Sequence, residues 1–124
     1  MAATKLDGAG TQKMKTLEEA QMALTQIHSM VERMAVEVKN GGAVGIFPNQ
    51  IKRMAGTLQG QLKGQFGMIA DMFSGMILAA GRGGSEIVRV RTLREYVAQI
   101  RTALDMAASK VKKEHSVDIV MADD

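Results

Sequence analysis

The residues able to do chemistry are few and scattered. His28 and His115 stand far apart, and two histidines so placed are not expected to form a helical metal site. Asp71 is the single carboxylate between Lys39 and Glu86. Burial would raise its pKa, yet one carboxylate makes no acid–base pair. The serine and threonine hydroxyls have no nearby His–carboxylate pattern to activate them. Cysteine is absent, which removes thiolate ligands, cysteine nucleophiles and disulfides. Met68, Met72 and Met76 recur every fourth residue. Such a sulfur stripe suits a soft metal such as Cu(I), but it more often serves as adaptable filler in a core or interface. The expectation is no catalytic group, no metal and no cofactor.

Two other features could carry function. On a single helix, Gly56, Gly60, Gly64 and Gly67 fall within a sector of about 80°, opposite an apolar face, with Asp71, Ser74 and Gly75 in or beside it. Each interior glycine costs about 0.8–1 kcal/mol relative to alanine, so something must offset the pattern. Either another helix approaches closely, as in small-xxx-small contacts, or the helix breaks between Gly60 and Gly67. The adjoining stretch from Phe66 to Ala80 is apolar all round and demands cover on every side. The expected interface is therefore Gly56, Gly60, Gly64, Gly67, Met68, Met72, Phe73, Ile77 and Leu78. The expected partner is a second copy, as a two-fold dimer because that is the commonest closed symmetry, or else another protein. The second feature is basic: Arg82, Arg89, Arg91 and Arg94 crowd one helix start, as a patch for an anion or an acidic partner would. The bland alternative is a solvated face with Glu86, Glu95 and Asp105 as helical partners. Nucleic-acid binders often add stacking aromatics, and only Tyr96 is near.

The elements that must position these residues follow from pattern. The chain has 124 residues, one domain's worth, with a net charge of +3 and an apolar fraction of 46%. Aromatics are scarce and methionine, alanine and leucine are plentiful, which favours helix over strand. Leu17, Ala20, Leu24, Ile27, Val31, Met34 and Val38 step 3-4-3-4-3-4, a coiled-coil seam. Thr16 and Glu19 read as its capping box, and Asn40-Gly41-Gly42 as its stop. Ile46 and Phe47 should fold back onto the bundle, with Pro48 in the first turn of a second helix that runs to Ala80. After Gly81–Gly84, Ser85 caps a third helix whose seam is Val90, Leu93, Val97, Ile100, Leu104, Ala107 and Val111. The N-terminus lacks the apolar core of a signal peptide, and no run of about 18 apolar residues exists for a membrane span.

One short motif has a known counterpart. Gly60-Gln61-Leu62-Lys63-Gly64 resembles the His-x-Leu-Lys-Gly core of histidine phosphotransfer domains, which are helical bundles. Gly60 stands at the phosphoacceptor position, so the resemblance implies the fold without the activity. An exposed His28 would be another route to a phosphotransfer-like regulatory role.

The expected fold is an all-α antiparallel up-down-up bundle of three long helices, or four if helix two breaks near Gly60–Gly67. It should be oligomeric. Residues 1–15 form a flexible segment, 16–115 the bundle and 116–124 an acidic tail. The expected role is a non-enzymatic, cytoplasmic assembly, adaptor or scaffold module acting through an apolar, glycine-rich helix surface. The rival is a nucleic-acid-associated protein using the Arg82–Arg94 patch.

Overall fold

The computed structural model describes residues 3–119 and is an all-α bundle with four helices among them. Helices α1 (Gly8–Lys39) and α4 (Glu86–His115) are long, about 48 and 45 Å. Helices α2 (Phe47–Leu62) and α3 (Gly67–Gly81) are half that length. The long helices lie antiparallel, as cross-links between Glu32 and Arg94, Gln21 and Asp105, and Lys13 and His115 show. The short helices form a hairpin that packs α2 against α1 and α3 against α4. No described helix is long and apolar enough to cross a membrane.

The seams behave as their spacing requires. Leu17, Ala20, Leu24, Ile27, Val31 and Met34 of α1 are fully buried, as are Leu93, Ile100 and Leu104 of α4. Ile51, Ala55, Leu58 and Leu62 of α2 and Ile69, Phe73, Met76 and Ala80 of α3 close the core over them. No polar side chain among the described residues shares it. Fully burying each large apolar side chain contributes roughly 1.5–3 kcal/mol, and the 3-4 spacing lets every turn of the long helices do so.

The expected second helix is two helices. The chain turns at residues 63–66, where the Phe66 amide donates to the Leu62 carbonyl at 2.7 Å. Three glycines within eight residues weaken the helix here, and reversal lets both of its apolar faces reach one core. The motif Gly60–Gly64 therefore straddles a helix end and does not lie along one continuous helix.

The start of α1 also differs from expectation. It begins at Gly8, not Thr16, because the Asp7 carboxylate accepts the Gly10 amide at 2.6 Å and caps the helix there. Thr16 sits inside the helix, its hydroxyl donating to the Gln12 carbonyl. The expected flexible segment instead contributes strand β1 (Ala3–Leu6), which pairs antiparallel with β2 (Ser116–Ile119). The acidic end of the tail, residues 120–124, lies outside the described residues. A clasp joins the ribbon to the bundle: the Asp7 amide donates to the His115 carbonyl, and the His115 ring lies between Asp7 and Lys13. Lys13 can only donate, so His115 Nε2 accepts and Nδ1–H faces the Asp7 carboxylate.

The connections hold two further outcomes. Phe47 packs on the core and Pro48 is buried in the first turn of α2, but Ile46 stays exposed. Gly41 and Gly45 turn the α1–α2 loop with φ of 74° and 58°, a region that disfavours side chains. Ser85 caps α4 as expected, accepting the Val88 amide.

The helical glycines are not equivalent. A Cβ on Gly56 would meet Ile77 Cδ1 at 4.0 Å, ordinary contact, whereas one on Gly75 would lie 2.5 Å from the Tyr96 hydroxyl. Gly56→Ala should raise stability by about 0.8–1 kcal/mol through helix propensity alone. Gly75→Ala must displace the Tyr96 ring and should be less stable than Gly56→Ala by about 1–3 kcal/mol. Urea unfolding of the two variants beside wild type measures both.

Candidate functional site

The four arginines separate once α4 is folded. At about 100° per residue, Arg89 lies about 160° from Arg91, while Arg91 and Arg94 are within about 60°. Arg89 turns towards α3, where Nε and Nη2 donate to the Arg82 carbonyl at 3.0 and 2.7 Å. That carbonyl is an open acceptor past the end of α3, so Arg89, whose side chain is 15% exposed, acts as a clamp on the α3–α4 turn. Its contact with Glu86 at 3.4 Å is the helical pairing expected of this region. Arg94 faces α1 and grips Glu32 with two parallel bonds of 2.8 and 2.7 Å. Arg91 is exposed, with no ion-pair partner among the described residues. The expected patch of Arg82, Arg89, Arg91 and Arg94 is thus two structural clamps and two outlying charges.

The Glu32–Arg94 pair is one rung of a polar ladder down the outer seam of α1 and α4. Arg101 lies 3.5 Å from His28 Nδ1, and Gln21 donates to Asp105 at 3.1 Å. The Arg94 hydrogen bonds hold the Glu32 carboxyl below the ordinary glutamate range, partial desolvation opposes this, and the charges of Arg94 and His28 add to the lowering. Arg94 is raised in turn by the same pairing. The cap bond from Gly10 likewise lowers Asp7. His28 therefore belongs to a ladder between helices. Local spacing offers only the i,i+4 step from His28 to Glu32, 3.7 Å apart here; the Arg94 partner is 62 residues away, and only aligning the two seams antiparallel places it there.

The expected glycine interface is redistributed. Gly60, Gly64 and Gly67 face open space, with nothing within 4 Å of an added Cβ. Leu78 shares that outer side of the hairpin and is 72% exposed. Asp71 is exposed too, not buried. Phe73 is fully buried in the core and so is not free to meet a partner as expected, while Gly56 is half-buried with Ile77 Cδ1 4.0 Å from an added Cβ. The tight glycine of the α2–α3 hairpin is Gly75, under Tyr96 of α4, a contact that spacing on one helix could not reveal.

The methionines split by height around α3. Met76 is core, Met72 is half-buried and Met68 is 84% exposed. Met68 and Met72 line a groove of about 560 Å³ between the hairpin tip and the lower half of α4. Phe66, Ile69, Ala103, Ala107 and Val111 also line it, and Met106, 67% exposed, flanks it from α4. Lys13, Lys110 and Glu114 line its lower end. The groove exists because α2 and α3 are too short to cover the whole α1–α4 pair. Among the described residues no three His, Cys, Asp or Glu side chains gather as a metal site.

Comparison of the chain with protein-family models, with curated proteins and with solved structures finds no match.

Glu32 has a lowered pKa in the folded protein, so its linked stability is complete above the unfolded value of about 4.3 and is lost as pH falls through the folded value. Glu32→Gln keeps the shape but carries no such linkage. Wild type should be the more stable of the two at neutral pH, and the gap should shrink as pH drops from about 4.5 towards about 3. Denaturant midpoints measured across that range check the sign.

Proposed function

We propose that this chain is a non-enzymatic helical assembly module that pairs with a second copy through the methionine-lined groove at the hairpin tip. The observation that carries this reading is the pair of exposed thioethers, Met68 and Met106, beside a groove lined by Phe66, Met72 and Val111. Flexible, polarisable methionines adapt to an opposing surface, and exposed apolar area of this kind favours burial. The lower rim carries both signs of charge, Lys110 and Glu114 one helical turn apart. A rim of mixed sign suits a two-fold contact, in which each patch meets its own copy.

The glycine side of the hairpin supports pairing less well. Leu78 is its exposed large apolar residue, and Lys52, Arg53 and Lys63 of the adjoining region are exposed. The nucleic-acid reading loses support because Arg89 and Arg94 are committed within the chain and Tyr96 is half-buried against Gly75.

Light scattering coupled to sizing tests the proposal. Wild type should elute as a dimer at micromolar concentration. Met68→Glu/Met106→Glu should be monomeric with an unchanged helical spectrum, since both side chains are exposed. Leu78→Glu, at an exposed residue that does not line the groove, should leave the dimer intact. A monomeric wild type, or a dimer indifferent to the methionine pair, rejects this assembly.

A further inference from the structure

At the opposite end of the bundle, the outer seam between α1 and α4 changes character. Below Glu32 and Arg94 it is closed by polar rungs. Above them it is an open apolar groove of about 680 Å³, lined by Ala35, Val36 and Val38 of α1 and by Ile87 and Val90 of α4. Val36 and Ile87 are 55% and 61% exposed, although each sits on a helix with a well-covered core face elsewhere. The charged residues lining it are Lys39, Arg91 and the Glu32–Arg94 pair. Glu32 is neutralised by the fork from Arg94, and the Glu37 carboxylate lies away from the groove, against Gly42. Lys39 and Arg91 are left exposed, with no ion-pair partner among the described residues. An apolar floor with two free cations on its rim has a definite complement.

We propose that this groove binds an acidic amphipathic helix of another protein, its apolar residues seated on Val36 and Ile87 and its carboxylates paired with Lys39 and Arg91. From Glu32 to Lys39 the groove spans about two helical turns, roughly 11 Å, which fits anchors at i, i+3 or i+4, and i+7. A small ligand would stay largely in water between such exposed lips, whereas bound small molecules are usually covered over most of their surface. A second copy on this face would set Lys39 and Arg91 against their own equivalents, a like-charge contact that disfavours self-pairing. This proposal stands apart from the methionine groove, which uses other residues on another side.

The test is selection from a displayed library of helical peptides about four turns long, against the intact chain. Anisotropy titrations of the enriched peptides then compare wild type, Val36→Glu/Ile87→Glu and Lys39→Glu/Arg91→Glu. Enriched peptides should carry Asp or Glu beside a 3-4 apolar stripe and bind more weakly as salt rises. Each double variant should weaken them at least about tenfold, because each removes one half of the complementarity. All four side chains are exposed or half-exposed, and matching circular dichroism melts confirm the fold. Several results overturn the proposal: no enriched helix, enrichment of basic helices, or undiminished binding to either double variant. Binding of the groove to anionic phosphatidylserine vesicles, lost in Val36→Glu/Ile87→Glu, with no peptide enriched, would assign it to a lipid surface instead. A dimer dissolved by Ile87→Glu would assign it to a second copy.

Discussion

Everything in this molecule hangs on one antiparallel seam. α1 and α4 each present an unbroken 3-4 apolar stripe, and two such stripes can both leave water along their whole length only by lying side by side. That packing covers one flank of each stripe and leaves the other open. The α2–α3 hairpin covers it with Ile51, Leu58, Phe73 and Met76, so four helices share one core with no polar side chain of the described residues in it. The turn glycines, the Arg89 clamp and the Asp7–His115 clasp then set where each helix begins and ends around this seam.

The hairpin and the pair it covers differ in length by nearly a factor of two, and that mismatch makes the surface features. Where the hairpin stops, α4 runs on past the tip, and methionines border the exposed step. On the outer flank none of the described helices covers the seam. There the protein shields most of it with polar rungs, from Glu32–Arg94 down to the clasp at His115, and leaves the upper end apolar. Both grooves are therefore consequences of coverage, one where a helix ends and one where a polar ladder ends.

Charge follows the same logic. Residues adjacent in sequence on a helix diverge by about 100°, so a cluster in the chain is a dispersal in space. Arg89 and Arg94 are drawn into hydrogen bonds that tie α4 to the α3 turn and to α1. Arg91, between them in sequence, keeps its charge at the edge of the upper groove, beside Lys39 from a helix more than fifty residues earlier. The basic surface that results is smaller than the cluster in the chain, and it sits beside apolar side chains.

The helices themselves were legible in the sequence. Periodicity named the seams Leu17 to Val38 and Val90 to Val111, of which Val38 and Ala107 are only half-buried and the rest buried, and named Ser85 as a cap and Pro48 as a first-turn residue, because burial on a helix depends on local spacing and a few cap residues. The glycines marked a weak point between Gly60 and Gly67, but the expectation from sequence was one continuous helix in close contact, with a break as the alternative. Tertiary structure chose the break, since reversal at residues 63–66 buries both halves in one core. It alone decided that Gly75, not Gly60, is the crowded glycine of the hairpin, that Phe73 faces inward, and that Arg94 belongs to Glu32. Each of those outcomes depends on which residue of another helix arrives opposite. That is set by the alignment of two seams across the core, and a single helix's spacing carries no information about it.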